Sequence, residues 1–388
     1  MKLDELKILY VCNDFPFPPM HGGLVDMWNR VKALHSLGVQ LDVIATVKEM
    51  PSADSLKTVQ EQVRSLRLIK RKPLSSGLFT WRPVQVAIRN ELRFMQINKK
   101  YNFLLMQSEF VTEILRNRTI EWETSIIRVD NNECSYNIRT AKAEHSLIRK
   151  LYYLQEALRM KWHSKVAFKN VDVLWFISHE EMEGYDKSFE THSTARSLFM
   201  PSSVDLDLMD RPSLEGKKVL FVGSLWNPLN RAALEWYISS VHPKLADLVD
   251  YKLLIAGSTR GKTYEWLTGI VSSFSNIEIK IDVDDLSPIY RECALFINPM
   301  QSGAGVKLKT VEAGVRGLPI LSTGVGAEGT GFVSDVHFKL ATSPEEFCCG
   351  VRDLLENQDM ATAMVDRCQV FLLENYNQKN ALKRALRI

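Results

Sequence analysis

Short apolar runs alternate along the chain with segments in which apolar residues recur every three or four positions. The first run, LKILYVCNDF, is followed by a loop rich in proline and glycine and by a helical pattern from Leu24 to Leu37 that stops at Gly38. The next run, VQLDVIAT, has the composition of a strand. Strand, loop, helix and strand in this order predict the beginning of a doubly wound sheet of parallel strands.

The alternation continues through the first half of the chain. Apolar runs predict strands at 103–108, 125–130 and 171–178, and a long basic segment from Ser146 to Asn170 has a helical pattern. The segment from Met200 to Lys218 is rich in Pro, Ser, Asp and Gly, which is typical of a linker. We therefore predict an N-terminal α/β domain over residues 1–205.

The same pattern restarts after this linker. A helix is predicted from Arg231 to Ser240, and strands are predicted at 218–223, 251–257, 276–282, 294–299 and 318–323. These elements predict a second α/β domain over 206–365, followed by a C-terminal helix in 366–388 that we expect to cross back to the first domain. Two doubly wound, Rossmann-like domains facing across a cleft would bind ligands where the carboxyl ends of their strands meet.

Composition narrows the class of protein. The chain has 388 residues, 45% of them hydrophobic and 24% charged, with a formal net charge of +3, which is typical of a globular protein without a nucleic-acid partner. No apolar run approaches the roughly 18–20 residues of a membrane span, and the charged residues of 1–7 do not resemble a signal peptide. The six cysteines show no CxxC spacing, so neither a zinc site nor a disulfide framework is supported. We expect a cytoplasmic protein.

Several common catalytic motifs are missing from the sequence. No G-x-G-x-x-G follows the first strand and no Walker A loop occurs, so the dehydrogenase and P-loop classes are not supported. The chain also lacks H-E-x-x-H and G-x-S-x-G, the signatures of zinc proteases and of α/β-hydrolases.

The stretch SGAGVKLKTVEAGVRGLPILST, residues 302–323, has the composition of an anion site. Gly303 and Gly305 would let the backbone approach a ligand, and a helix starting near Val306 would direct free N–H groups at it. Lys307 and Lys309 would add positive charge. Glu312, on the same helical face, would accept hydrogen bonds from ribose hydroxyls behind a diphosphate. The alternative is a solvated helix face with a Lys309–Glu312 pair worth about 0.2–0.5 kcal/mol.

A second charged segment extends from Arg64 to Lys100. It contains ten basic residues and one acid, interleaved with apolar residues such as Trp81. Such a mixture is typical of a surface that contacts an anionic membrane or an anionic substrate, although a solvated basic face would have the same composition.

Residues 302–329, SGAGVKLKTVEAGVRGLPILSTGVGAEG, resemble the donor-binding motif of glycosyltransferase family 4. Segments elsewhere resemble the same family in the expected order: the HGG loop, RVDNNECSY (128–136), FISHEE (176–181) with MPSSVD (200–205), and VGSLWNPLNRAALEWYI (222–238). The resemblance implies a GT-B fold and transfer of a sugar from a nucleotide sugar to a saccharide or lipid-linked acceptor with retention of configuration. It implies a role in polysaccharide synthesis, at the inner face of the membrane.

The resemblance also assigns residues. It places Glu312 at the ribose and the backbone of Val283 beside the nucleobase. The other donor-binding candidates are Gly22, Gly23, Asn230, Arg231, Gly303, Ala304 and Gly305. No cofactor or metal ion is expected, and we interpret Asp282, Asp284 and Asp285 as an acidic loop and helix cap rather than as metal ligands.

Three positions depart from the family pattern. Ala304 replaces a second glutamate that contacts the donor sugar, so we expect the backbone of the 303–305 loop to take over this contact. The segment SLWNPLNR carries one cation, Arg231, at a spacing that differs from that of the usual Arg and Lys, which makes Lys307 or Lys309 the leading candidate for the diphosphate. Asp130 occupies the place of a histidine, where it would orient a substrate, or act as a base in an inverting enzyme. A sugar-nucleotide epimerase and a catalytically silent scaffold of the same fold remain alternatives.

Overall fold

The computed structural model describes residues 3–19, 22–78, 80–144, 146–189, 195–204, 206, 216–261, 263–283, 285–303 and 305–387. The chain divides into two compact units. Unit 1 consists of Met1–Ser203 with Gln378–Ile388, and unit 2 consists of Val204–Asn377.

Unit 1 is built on a seven-stranded parallel sheet with the strand order β3-β2-β1-β4-β5-β6-β7. Its strands are β1 (Lys7–Cys12), β2 (Gln40–Val47), β3 (Ser65–Lys70), β4 (Lys99–Gln107), β5 (Ile120–Val129), β6 (Val173–Phe176) and β7 (Arg196–Phe199). The first helices of the chain are α1 (Gly22–Ser36), α2 (Ala53–Gln60), α3 (Ser75–Leu78), α4 (Val84–Ala87), α5 (Glu133–Ala143), α6 (Leu147–Lys169) and α7 (His179–Phe189).

The central strands are apolar on both faces because helices cover both sides of the sheet. In β1, Ile8 and Tyr10 pack into one core layer, whereas Leu9 and Val11 pack into the other. Strand β1 pairs with β2 so that Lys7 lies opposite Gln40, and β4 pairs with the other edge of β1. This order brings the ends of β1, β4 and β5 together in the middle of the sheet.

Unit 2 is a six-stranded parallel sheet with the order β10-β9-β8-β11-β12-β13. Its strands are β8 (Lys218–Val222), β9 (Lys252–Gly257), β10 (Ile277–Ile281), β11 (Leu295–Asn298), β12 (Ile320–Ser322) and β13 (Lys339–Leu340). Its helices are α8 (Pro228–Ser240), α9 (Glu265–Val271), α10 (Ser287–Arg291), α11 (Leu308–Val315), α12 (Pro344–Glu356) and α13 (Gln358–Asn375). Ser343 and Glu346 form a capping box at the start of α12.

The last helical pattern of the sequence is two helices. Helix α13 buries Ala361 and Met364 in unit 2, whereas α14 (Gln378–Leu386) buries Ala381 and Leu382 in the core of unit 1. The chain thus returns to unit 1 at Gln378, later than the predicted boundary at 366. The division after Ser203 lies two residues from the predicted one.

The predicted α/β class with two parallel sheets is confirmed, and each predicted strand is present. Three short edge strands were not predicted: β3, β7 and β13. Strand β3, SLRLIK, lies within the basic Arg64–Lys100 segment, where only Ile69 is fully buried. Among the described helices, none combines the length and apolar character needed to cross a membrane.

Candidate functional site

The carboxyl ends of the three central strands of unit 1 surround a cavity of about 370 Å³. Asn13 follows β1, Ser108 follows β4 and Asp130 follows β5, while Gly23 contributes from the first turn of α1. Parallel sheets bind ligands at this edge, where helix N-termini and loops converge. Asp130 and Gly23, both predicted from the sequence, therefore lie at one cavity, and Gly22 begins α1 beside it.

Asp130 belongs to a buried network of charged groups. Gln107 donates from Nε2 to both carboxylate oxygens of Asp130, at 3.0 and 2.9 Å, and Arg128 Nε lies 3.3 Å from Oδ1. Arg128 also pairs with Asp26 at 3.3 Å, and Asp26 receives two bonds of 3.0 Å from Arg30. Two arginines and two aspartates thus balance in charge when Asp130 is ionised.

Burial raises the pKa of Asp130 to about 6, although the nearby Arg128 opposes the shift. For Asp26, burial also acts to raise the pKa, but Arg128 and Arg30 outweigh it and hold the pKa of this carboxyl below its ordinary value. Asp130 is therefore the member of the network that can exchange a proton near neutral pH, and its carboxyl faces the cavity.

A second cavity, of about 440 Å³, adjoins the first. The two share lining residues Glu109, Val129, Asn131 and Glu133, and the second is further lined from α6 and α7. Together they form a continuous depression in unit 1 along the ends of β4, β5 and β6.

Three glutamates that line the two cavities, Glu109, Glu133 and Glu181, have raised pKa values. Burial, reinforced by the neighbouring carboxyl groups, raises the pKa of Glu109 to about 8 and that of Glu133 to about 7. The pKa of Glu181 is raised as well, mainly by burial. Near neutral pH these groups can both donate and accept hydrogen bonds, which suits a ligand with many hydroxyl groups and disfavours an anionic one.

The glycine-rich loop of unit 2 lies between β11 and α11. Gly303 has φ of 147° and Gly305 has φ of 79°, conformations that side chains disfavour. Helix α11 begins at Leu308 with Lys307 as its N-cap, two residues later than the predicted start at Val306. At this helix start the Lys307 amide donates to the Glu328 carbonyl at 3.2 Å and the Thr310 amide donates to the Lys307 carbonyl at 2.9 Å, so the amides of Leu308 and Lys309 are the ones left for an anion. Ala304 lies outside the described residues.

The two lysines of the loop have different surroundings. Lys307 is 7% exposed, and its Nζ donates to the Gly305 carbonyl at 2.6 Å and to Glu328 at 3.1 Å. A Cβ on Gly303 would lie 3.7 Å from this Nζ. Lys307 therefore stabilises the loop through its bonds to Gly305 and Glu328.

Lys309 instead connects α11 to the first turn of α8. Its Nζ donates to Asn230 Oδ1 at 3.0 Å and lies 4.9 Å from the ring centre of Phe221. Burial, together with the charge of Lys307, lowers the pKa of Lys309 to about 7. Asn230 is held in turn by its bond to the Ser224 carbonyl. Because the hydrogen-bond partner of Lys309 Nζ is a neutral amide and not a carboxylate, the positive charge of the ammonium form can pair with an incoming anion.

Glu312 lies on the side of α11 that approaches the loop after β10. Its Oε1 accepts a bond of 2.7 Å from Arg316 Nε, and Arg316 reaches Ser287 at the start of α10 with a bond of 3.2 Å. Val283, 41% exposed, belongs to the same loop. Through Arg316 the structure therefore connects α11, which carries the predicted ribose residue Glu312, to the start of α10, which follows the loop with the predicted nucleobase residue Val283.

Arg231 does not join the residues around Lys309. It pairs with Glu235 at 2.7 Å and stacks on Trp266, with its guanidinium carbon 4.6 Å from the ring centre. A different cation, Arg260, lies 4.2 Å over the ring of Trp226 in the loop that precedes α8. The sequence pattern did not identify Arg260, because a single arginine after a strand carries no signal of its own.

Two acidic side chains of the loop after β10 accept hydrogen bonds from other residues of unit 2. Asp282 accepts bonds from the amide and hydroxyl of Thr259, and Asp285 accepts a bond from the Ser287 amide at the start of α10, although the N-cap residue of that helix is Leu286. Asp284 lies outside the described residues. Among those described, no three His, Cys, Asp or Glu side chains are grouped to hold a metal ion.

Gln107, Glu109 and Asp26 were not identified from the sequence. Gln107 and Glu109 flank the end of the predicted strand 103–108, so their place at the carboxyl end of a central strand was the available signal. Asp26 lies inside α1 and meets its partner Arg128 only through the fold.

Three comparisons place this architecture among known proteins. Residues 216–357 match the family described as group 1 glycosyl transferases. A 44.6 kDa protein from the cps region of Klebsiella pneumoniae, itself uncharacterized, is 31% identical over 385 residues, covering 96% of this chain and 97% of that protein.

Two solved structures share the fold. Sucrose-phosphate synthase from Thermosynechococcus elongatus is similar with a TM-score of 0.65 and 14% identity, over 98% of this chain and 97% of the other. HepE from Anabaena, solved with UDP and glucose, is similar with a TM-score of 0.64 and 10% identity, over 98% of both chains. The fold predicted from the sequence resemblance is thereby confirmed, whereas membership of family 4 stays a prediction. The chain belongs to the group 1 glycosyl transferases and is a glycosyltransferase with the GT-B fold.

Proposed function

We propose that the protein transfers a sugar from a nucleotide sugar to a saccharide or lipid-linked acceptor, with retention of configuration. In this proposal unit 2 binds the nucleoside diphosphate part of the donor and unit 1 binds the acceptor. The observation that carries the proposal is Lys309, whose Nζ has a lowered pKa and lies beside Asn230, next to a glycine loop and a helix N-terminus.

The arrangement in unit 2 fits the charge that develops during transfer. When the bond between the sugar and the diphosphate breaks, negative charge accumulates on the leaving phosphate. Preorganised N–H groups of α11 and the ammonium of Lys309 stabilise this charge more in the transition state than in the ground state. Lys307 contributes by holding the loop in place through Gly305 and Glu328.

The nucleoside is expected to lie between α11 and the loop after β10. Glu312 would accept hydrogen bonds from the ribose, and the backbone of Val283 would contact the base. HepE, which has a similar fold, was solved with UDP and glucose, which supports a nucleotide sugar as the donor.

The cavities of unit 1 suit a saccharide acceptor. Asp130 would orient the reacting hydroxyl group through its carboxylate, while Glu109 and Glu133 supply hydrogen-bonding groups without a high charge density. The relative from Klebsiella pneumoniae belongs to a cps region, which supports a role in polysaccharide synthesis. We propose that the reaction needs no metal ion or other cofactor. The cytoplasmic localisation stays a prediction.

The proposal is tested in two steps. A thermal-shift screen against UDP-, GDP-, ADP- and dTDP-sugars identifies the donor, because a bound ligand raises the unfolding midpoint by mass action. Incubation of this donor with saccharide acceptors, followed by mass spectrometry and NMR of the products, then tests transfer and stereochemistry.

Variants of Lys309 and Asp130 test the roles proposed for the two units. Lys309→Ala should weaken donor binding by about 1.5–3 kcal/mol, because a charge-assisted bond is lost. Lys244→Ala, which removes a surface lysine paired with Glu345, serves as its control. Asp130→Asn should lower the transfer rate while donor binding is retained. Release of an epimerised nucleotide sugar without acceptor, or the absence of any midpoint shift, would contradict the proposal.

A further inference from the structure

Helix α6 carries an apolar stripe that stays exposed along its whole length. The stripe residues recur at steps of one to four positions and are 40% to 82% exposed: Leu147, Ile148, Leu151, Leu154, Leu158, Trp162 and Val166. Residues at this spacing lie on one side of a helix. No described residue of the chain covers them enough to bury them, and an exposed apolar surface of this extent marks a site of interaction.

The stripe is not needed for the packing of α6. The opposite side of the helix buries Ala157, Met160 and Phe168, and it carries the buried pair Glu156–Arg159 at 2.7 Å. Glu156 also accepts a bond of 2.9 Å from the Val84 amide, which fixes the preceding segment to α6. One side of α6 therefore holds the helix on unit 1, and the other side is left for a partner.

Exposed positive charges accompany the stripe. They are Arg149, Lys150, Lys161, Lys165 and Lys169, and the one acidic residue of α6, Glu156, is buried. Arg149 alone among these has a carboxylate nearby, with Glu144 at 4.0 Å. The exposed part of the helix is thus apolar and cationic, which is the composition that binds anionic lipid headgroups.

The segment before α4 adds to this surface. Arg159 Nη2 donates to the Leu78 carbonyl at 3.1 Å, which places the segment beside α6. Leu74 is 59% exposed and Trp81 is 94% exposed. By contrast, Val84 in the same Arg64–Lys100 region is buried, as are Val86, Ile88 and Leu92. Much of the apolar content of that region therefore builds the core, whereas Leu74 and Trp81 are exposed in the segment that bonds of Leu78 and Val84 attach to α6.

We propose that the stripe of α6, together with Leu74 and Trp81, docks onto an anionic lipid bilayer. A second copy of the chain is a poorer occupant, because a symmetric pairing through α6 would bring its cations against the same cations of the partner. Helix α6 also lines the second cavity, through Lys161, Ser164, Lys165 and Phe168. Docking through α6 would place that cavity close to the headgroups. The proposal concerns binding alone and stands whether or not the acceptor is lipid-linked.

The test is sedimentation of the full chain with phosphatidylglycerol vesicles and with phosphatidylcholine vesicles. We expect binding to phosphatidylglycerol that weakens as ionic strength rises from about 0.05 to about 0.5 M, because salt screens the headgroup charge. The triple variant Leu151→Ser, Leu158→Ser, Trp162→Ser should bind these vesicles at least about tenfold more weakly, since it loses the buried apolar area. The exchange of Arg149, Lys150 and Lys169 for glutamine should remove the preference for the anionic lipid.

The control replaces three exposed apolar residues of unit 2, Val249, Val370 and Leu373, by serine. This control should bind vesicles like the wild type, and circular dichroism should show all variants folded. Three outcomes would overturn the proposal: no sedimentation with phosphatidylglycerol at low salt, an equal loss in the control, or a stable dimer in light scattering that the α6 variant converts to monomers. Transfer to a water-soluble saccharide should be unchanged in the α6 variant, so the test is independent of the proposed reaction.

Discussion

The lowered pKa of Lys309 makes donor binding dependent on pH. In the free protein this pKa is about 7, because the ammonium is buried and Lys307 lies nearby. A diphosphate favours the charged form and raises the pKa on binding, so the ligand and a proton bind together. Affinity should therefore be highest below pH 7 and fall as pH rises through 7.

The magnitude follows from the fraction of charged lysine. With a pKa of about 7 the ammonium form is roughly 90% populated at pH 6 and roughly 10% at pH 8, so the affinity should fall about tenfold, or ~1.4 kcal/mol. Lys309→Arg keeps the charge at both pH values and should bind without this dependence. Lys309→Ala should bind weakly at both, also without it.

The assay is titration calorimetry with the nucleotide sugar that the thermal-shift screen identifies. A nucleotide sugar is preferred to the free diphosphate, whose terminal phosphate itself titrates near neutral pH. Measurements at pH 6 and 8, each in two buffers of different ionisation enthalpy, give the affinity and the protons taken up. Lys307→Ala serves as the contrast: its loss loosens the loop and lowers the unfolding midpoint, and the pH dependence should persist but move to higher pH, because the charge of Lys307 no longer lowers the pKa of Lys309. Equal wild-type affinity at pH 6 and 8, or the same slope in Lys309→Ala, would refute the reasoning.

Three further predictions concern single residues. Glu312→Ala should abolish the preference for a ribose donor over its 2′-deoxy counterpart, measured as a ratio of dissociation constants. Glu109→Gln should raise the unfolding midpoint at pH 8.5. The pKa of Glu109 is about 8 in the folded protein and about 4.5 in the unfolded chain, so the wild type loses as much as ~5 kcal/mol of its free energy of unfolding as pH rises from 4.5 to 8. Below pH 4.5 the unfolding midpoints of the two proteins should agree. Gly257→Ala should destabilise unit 2 by ~3 kcal/mol in thermal unfolding, because its Cβ would lie 1.8 Å from the Gly223 carbonyl oxygen, whereas Gly269→Ala, with open space around it, should not.

The sequence predicted the sheets because buried parallel strands are nearly continuous apolar runs. Strand β1 is of this kind, and so are the buried second halves of β4 and β5, where the predicted strands 103–108 and 125–130 lie. The more exposed first halves, which begin at Lys99 and Ile120, were not predicted. The edge strand β3 alternates basic and apolar residues and is partly exposed, so its composition matched a charged surface instead. Edge strands lack the burial on both faces that makes the pattern distinct.

The site was predictable only where it is continuous in sequence. The segment from Gly303 to Glu312, a loop followed by the start of α11, can be recognised in the sequence, because its glycines, lysines and glutamate occur in the order in which they would contact the diphosphate and the ribose. The different surroundings of Lys307 and Lys309 had no such signal. They depend on Glu328 and Asn230, residues 21 and 79 positions away in the sequence.

Asp130 shows how a departure from a family pattern is accommodated by the fold. Gln107 Oε1 accepts bonds from Tyr10 and Arg30, so its amide nitrogen must face position 130, which therefore requires an acceptor. A carboxylate meets this requirement and also balances the second arginine of the network. A protonated histidine in the same place would give Gln107 no acceptor and would leave a buried excess of positive charge. The aspartate is thus matched to its surroundings, and it keeps at the cavity a group whose pKa of about 6 allows a charge change near neutral pH.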